Sequence, residues 1–142
     1  MKTQFDIQLS EHFKLSEFVQ TDYADFQLLN TLQFTNIRIL VVDFLEPLRQ
    51  TLKVPIKINS GFRVQRVNEK VGGVKNSLHK SGCAADICSF VATPQQIYDT
   101  LNTLIKQSVY PSHVMELIKY PTFVHIGINT DKLFEFYENT NI

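Results

Sequence analysis

His79 and Asp86 stand seven positions apart in Ser77-Leu78-His79-Lys80-Ser81-Gly82-Cys83-Ala84-Ala85-Asp86. On one continuous strand an odd separation sends two side chains to opposite faces, so this pair converges only if the chain turns between them. Ser81-Gly82 supplies such a turn, with His79 before it and Asp86 on the strand that follows. Ala84, two positions before Asp86, leaves space on the same face. His125 lies in Thr122–Ile128, where Val124, Ile126 and Ile128 form one face and Phe123, His125 and Gly127 the other. It points away from an apolar layer, with room beside it at Gly127. Two imidazoles and one carboxylate around an open fourth position make a catalytic zinc shell that activates water. A plainer reading fits the same residues: His125 as a hydrogen-bonded sheet histidine, with the His–Asp spacing accidental. His12 and His113 fall outside this arrangement, and surface or structural roles are expected for both.

Something must position these groups. Four of the five glycines, Gly61, Gly72, Gly73 and Gly82, fall in one stretch. Glycine collects where the backbone needs positive φ or close approach, so this stretch is either where a site is built or an irregular connection. Upstream, Ile37, Leu40, Val41, Phe44, Leu45, Leu48 and Leu52 follow the helical i, i+3, i+4, i+7 pattern over Asn36–Lys53. Pro47 inside that pattern predicts a kink or break. Ser16 is expected to cap a short turn carrying Phe18, and Asp25–Leu32 to form another short helix. Val54, Ile56 and Ile58 alternate as a half-buried strand. Thr93-Pro94-Gln95-Gln96 opens a helix with a capping box, its buried face being Ile97, Leu101, Leu104 and Ile105. Helix first, then strands with one helix inserted, predicts an α+β fold with a helical N-terminal half on a small antiparallel sheet. No repeat or linker interrupts the chain, so residues 1–142 read as a single domain.

At 142 residues, 44% of them apolar, the chain can fill one core. Fourteen Lys+Arg balance fourteen Asp+Glu, without the cationic excess that duplex binding relies on, so no nucleic-acid partner is expected. No apolar run approaches the roughly 20 residues that span a bilayer, which argues against membrane insertion. Asp6, Glu11, Lys14 and Glu17 occupy the place of a signal peptide's apolar stretch, so synthesis in the cytoplasm is expected. Cys83 and Cys88 make neither a CxxC pair nor an easy disulfide, and read as two reduced core residues.

Several segments, in order, carry a resemblance. Ser60-Gly61-Phe62-Arg63, Val67-Asn68, Val71-Gly72-Gly73 and Lys75-Asn76-Ser77 run into His79, Gly82, Ala84 and Asp86, and Phe123-Val124-His125 follows. Upstream stand His12-Phe13-Lys14-Leu15-Ser16-Glu17-Phe18 and Leu45-Glu46-Pro47-Leu48-Arg49. From about residue 10 to about 128 the chain resembles the zinc D-alanyl-D-alanine carboxypeptidases, including their small bacterial and phage members, whose fold is shared with lysostaphin-type peptidases and the hedgehog domain.

The resemblance implies Zn2+ held by His79, Asp86 and His125, with Arg63 binding substrate and stabilising the developing oxyanion. Ser77 would lie near the bound peptide or brace the loop. It also implies hydrolysis in the stem peptide of bacterial peptidoglycan, as a carboxypeptidase or an endolysin-type endopeptidase. The protein would then act at the cell wall after release, as phage lysis enzymes or tail components do. The family's usual general base, a glutamate three before the last ligand or a histidine two before it, is replaced by Thr122 and Phe123. Glu116 is the nearest acid. If Val114–Leu117 pairs with Thr122–Ile128 through a turn at Lys119-Tyr120-Pro121, Glu116 returns beside the metal as the base. The alternative is a non-catalytic zinc-containing binding or assembly module of the same fold. Oligomeric state is left open.

Overall fold

The computed structural model describes residues 6–22, 27–109 and 111–131. Helix α1, Ser16–Val19, buries Phe18 completely, and α2 follows at Thr31–Leu40. A π turn, Val41–Leu45, connects α2 to α3, Glu46–Leu52. Strand β1 is Lys57–Ser60, helix α4 Gln65–Lys70 and strand β2 Ala84–Cys88. Helix α5, Pro94–Gln107, leads to β3, Val114–Lys119, and β4, Val124–Ile128. The strands form one antiparallel sheet in the order β1-β2-β4-β3. This is the expected α+β architecture.

One face of the sheet carries the core. Ile58, Ala85, Ile87, Val124, Ile126 and Ile128 pack against Ile37, Leu40, Phe44, Leu45 and Leu48 and against Ile97 and Leu101 of α5. Burying each large aliphatic or aromatic side chain contributes about 1.5–3 kcal/mol, so this layer anchors the sheet and leaves its other face for chemistry. The α5 capping box forms as expected: Thr93 Oγ1 accepts from Gln96 N, and Gln96 Oε1 accepts from Thr93 N. Among the described residues, no helix is long and apolar enough to cross a membrane.

Several local expectations are corrected. The helical run passes Pro47 without a break, and the irregularity precedes it as the π turn, where Glu46 N donates to Val41 O. Widening the helix there accommodates a residue that cannot donate and that crowds the carbonyl four positions back. The short helix expected over residues 25–32 does not form as a separate element: residues 27–30 have no regular secondary structure, Thr31 and Leu32 begin α2, and Asn30 caps α2 by a reciprocal bond pair with Gln33. Leu15, not Ser16, holds the cap position of α1, and Ser16 hydrogen-bonds Asp6 instead. The alternation over Val54–Ile58 appears as burial, but strand pairing starts only at Lys57, beyond Pro55. Likewise, β4 begins at Val124 rather than Thr122. Cys83 is a buried free thiol as expected, whereas Cys88 is partly exposed at the sheet's end, its Sγ 3.3 Å from Asn59 Oδ1. Helix α4, inside the glycine-rich stretch, has no counterpart in the sequence pattern.

Candidate metal centre

The turn between His79 and Asp86 is a short 3-10 helix, Leu78–Ser81, closed by Gly82 at φ 79°. Ser77 Oγ accepts from His79 N at 3.2 Å, so Ser77 caps this turn while also lining the cleft. Helix α2 holds the turn from behind: Asn36 Nδ2 donates to Ser81 O and Gln33 Nε2 to Lys80 O. On the sheet, Asp86 of β2 lies opposite His125 of β4, both on the face away from the core. His79 Nε2 is 3.3 Å, and His125 Nδ1 2.7 Å, from the same oxygen, Asp86 Oδ1.

The flanking strands each carry an irregularity that adds a polar side chain to this face. In β3, Val114 pairs with Ile128 but Glu116 pairs with Gly127, so Met115 is an extra residue, a bulge. Val114 can therefore face the core while Glu116, two residues on, faces the site. In β1, Ile58 faces the core opposite Ile87, and a shift at Asn59 places Ser60 opposite Asp86. Gly127 completes the design. A Cβ there would stand 2.6 Å from Glu116 Oε1 and 2.7 Å from Leu78 Cδ1, so the space it leaves is filled by Glu116.

Each of the three converging residues has a partner on its far side. His79 Nδ1 lies 2.6 Å from Gly61 O and donates to that carbonyl, which turns Nε2 toward Asp86. Asp86 Oδ2 accepts from Arg63 Nη2 at 3.3 Å. His125 Nε2 is 2.8 Å from Glu116 Oε1, which leaves Nδ1 to face Asp86. Arg63 is itself held: Nε donates to Ser60 Oγ at 2.9 Å and Nη1 to Asn68 Oδ1 at 3.2 Å. Asn68 is 1% exposed, and its Nδ2 donates to Val74 O. Gly73 is needed beside it, since a Cβ would run into Asn68 Oδ1.

Burial alone would raise the Asp86 carboxyl, yet hydrogen bonds and positive charge from His125 and His79 hold it well below the usual carboxylate range. Burial likewise opposes charge on His125, and its bonds to Asp86 and Glu116 outweigh this and raise it. Burial lowers Arg63, and the Asp86 charge acts in the opposite sense.

The donor set fits a zinc ion. Two imidazole nitrogens and a carboxylate oxygen lie within 4.8 Å of one another. Tetrahedral zinc with bonds of about 2.0–2.2 Å needs ligand atoms about 3.4 Å apart, near the 3.3 and 2.7 Å that separate His79 Nε2 and His125 Nδ1 from Asp86 Oδ1. Second hydrogen-bond partners that fix tautomer and ring orientation are what metal-ligating histidines have.

Thr122 is exposed ahead of β4, while Phe123 lines the cleft and stacks on Tyr120 with ring centroids 4.6 Å apart. Glu116 also lines the cleft, and its side chain is 43% exposed. The chain therefore brings together His79, Asp86, His125, Arg63, Ser77 and Glu116. His12 is a structural partner of Glu46, and His113 is buried beside β3. The contributions of Gly61, Ser60 and Asn68 were missed: no residue type announces a carbonyl that orients a ligand, and one buried asparagine has no distinguishing pattern.

No curated protein matches the chain. Residues 11–127, which run from before α1 to all but the last residue of β4, match the Peptidase M15 family, a zinc-dependent peptidase family, and the chain belongs to it.

Proposed function

We propose that this protein is a zinc-dependent peptidase that hydrolyses peptide bonds in the stem peptide of bacterial peptidoglycan. The observation that carries the reading is the ring of supports around His79, Asp86 and His125, each turned toward one point by Gly61 O, Arg63 and Glu116 respectively. His79 Nε2, Asp86 Oδ1 and His125 Nδ1 would hold the ion. A zinc ion so held supplies Lewis acidity toward the scissile carbonyl and the attacking water.

The chain's own groups do the rest. Glu116 Oε1 keeps His125 in the ligating tautomer, and Oε2, without a hydrogen bond among the described residues, accepts the proton of the attacking water. Arg63 neutralises Asp86 and uses three of its five N–H donors on Ser60, Asn68 and Asp86. The other two are available to the oxygen on which negative charge develops. Ser77 rims the cleft beside the bound peptide, and Val74, Ile118, Tyr120 and Phe123 give it an apolar wall.

A second reading has an observation in its favour. With Thr122 and Phe123 at the usual base positions and Glu116 already engaged by His125, the site suits a zinc-stabilised binding module that performs no hydrolysis. Glu116→Gln separates the two, because its amide oxygen still accepts from His125 but cannot take a proton. Mass spectrometry of muropeptides incubated with zinc-loaded protein is expected to show cleavage, reduced at least about 100-fold in the variant. Zinc is expected to stay at one per chain. Undiminished cleavage by the variant would refute Glu116 as the base. No cleavage by the zinc-loaded parent on several stem types would leave the binding module.

A further inference from the structure

The cleft has a larger neighbour. Beside its volume of about 320 Å3 lies a second cavity of about 750 Å3, and Arg63 lines both. The lining of this second cavity includes β1, Lys57–Ser60, and the segment Gln20–Asp22 that leaves α1.

This cavity is a built feature. Phe62 N donates to Phe18 O at 2.7 Å, and Gln27 Nε2 ties Val19 O to Phe62 O at 2.8 and 3.0 Å. Gly61 permits the approach, since a Cβ would stand 2.7 Å from Phe18 O. The end of α1 is thereby fastened to Phe62, whose N–H shares a peptide group with the Gly61 carbonyl that orients His79. Strand β1 is also outermost in the sheet, and no backbone group of Lys57–Ser60 bonds outside the sheet to another described residue. An unpaired strand edge is a template for an extended chain. Asp22, Lys57, Asn59 and Ser60 make the lining polar, which suits a hydrated peptide backbone better than an apolar ligand.

We propose that the substrate peptide continues past Arg63 into this cavity and adds to the outer edge of β1 as an extended segment. Recognition then reaches several residues beyond the bond that is cut. Four residues of strand span about 13 Å, enough for about four residues of extended peptide. The inference rests on the peptidase reading and supplies it with a second subsite.

The test uses zinc-loaded, 15N-labelled Glu116→Gln protein, in which the peptide survives, titrated with a stem pentapeptide and with the dipeptide D-Ala-D-Ala. The pentapeptide is expected to shift the amide signals of Lys57–Ser60 and Gln20–Asp22 together with those of the cleft. The dipeptide is expected to shift the cleft alone and to bind about tenfold or more weakly. Val71→Trp, at an exposed position lining the cavity, is expected to reduce pentapeptide affinity to that of the dipeptide. The proposal is overturned if the pentapeptide moves the cleft signals but not those of β1, or if Val71→Trp binds it undiminished. If neither peptide moves the cleft and the zinc-loaded parent hydrolyses no muropeptide, the substrate class is wrong and the subsite falls with it.

Discussion

Gly61 joins the fold to the metal centre, and replacing it with alanine tests both at once. Its backbone φ is not in the left-handed region, so alanine meets no conformational penalty there. The new methyl would stand 2.7 Å from Phe18 O and 2.8 Å from Phe18 Cα. These are backbone atoms of a helix whose side chain is fully buried, so they cannot swing aside. Overpacking of this kind costs about 1–3 kcal/mol. Restricting the unfolded chain returns about 0.4–1 kcal/mol. The net expectation is a loss of about 1–2 kcal/mol, seen as a fall of about 3–8 °C in Tm. Relief of the clash also moves the Gly61 carbonyl, 2.6 Å from His79 Nδ1. Loss of such an outer partner lowers metal affinity about 10–100-fold. Denaturant unfolding of metal-free protein measures the first effect, and competition with a zinc chelator the second. Gly72→Ala is the control: its φ of 72° strains an alanine by about 1–2 kcal/mol, but nothing lies within 4 Å, so zinc affinity is expected unchanged. A Gly61→Ala protein as stable as its parent would refute the close-approach argument. One that is destabilised yet binds zinc normally would refute the role of the carbonyl.

Zinc at about 100 times its Kd is expected to add about 2.7 kcal/mol to stability, and Asp86→Asn to remove most of that gain in thermal unfolding. Glu46 fastens residues 10–12 to α3 through Ser10 Oγ, His12 N and His12 Nδ1, each within 2.8 Å. Burial opposes its charge, but these bonds outweigh burial and lower its pKa on folding. Its contribution is therefore complete above the ordinary value of about 4.5 and lost as pH falls through the lowered one. The stability difference between parent and Glu46→Gln, from urea unfolding at a series of pH values, is expected to narrow over that interval, and a constant difference would refute the linkage. Thr93→Ala removes half of the α5 capping box and is expected to cost about 0.5–2 kcal/mol in the same assay.

Much of the site could be read before folding because its logic is periodic. Odd spacing between His79 and Asp86, a glycine turn between them, and alternation in Val124–Ile128 are consequences of strand geometry, and the sheet obeys them. The capping box at Thr93 is equally local. Where structure and sequence pattern differ most, at Pro47, a contact distant in sequence decides the outcome. Pro47 suggested a break, but packing of Phe44, Leu45 and Leu48 on the sheet keeps the run helical, and a π turn absorbs the misfit. Helix α4 has only six residues, too few for periodicity to declare it, and Asn68 within it is fixed by Arg63 and Val74.

The sequence by itself determined which residues could ligate a metal, that a turn had to separate two of them, and which sheet face was apolar. Those properties depend on side-chain chemistry and on the two-residue repeat of a strand. Only the tertiary structure decided that Glu116 reaches His125, because a bulge at Met115 and the missing side chain of Gly127 must act together. It alone placed Arg63 behind Asp86 and between two cavities, through Ser60 and Asn68. A bulge is one extra residue with no type of its own, and a carbonyl partner is common to every residue, so neither leaves a mark on the sequence until the strands are paired.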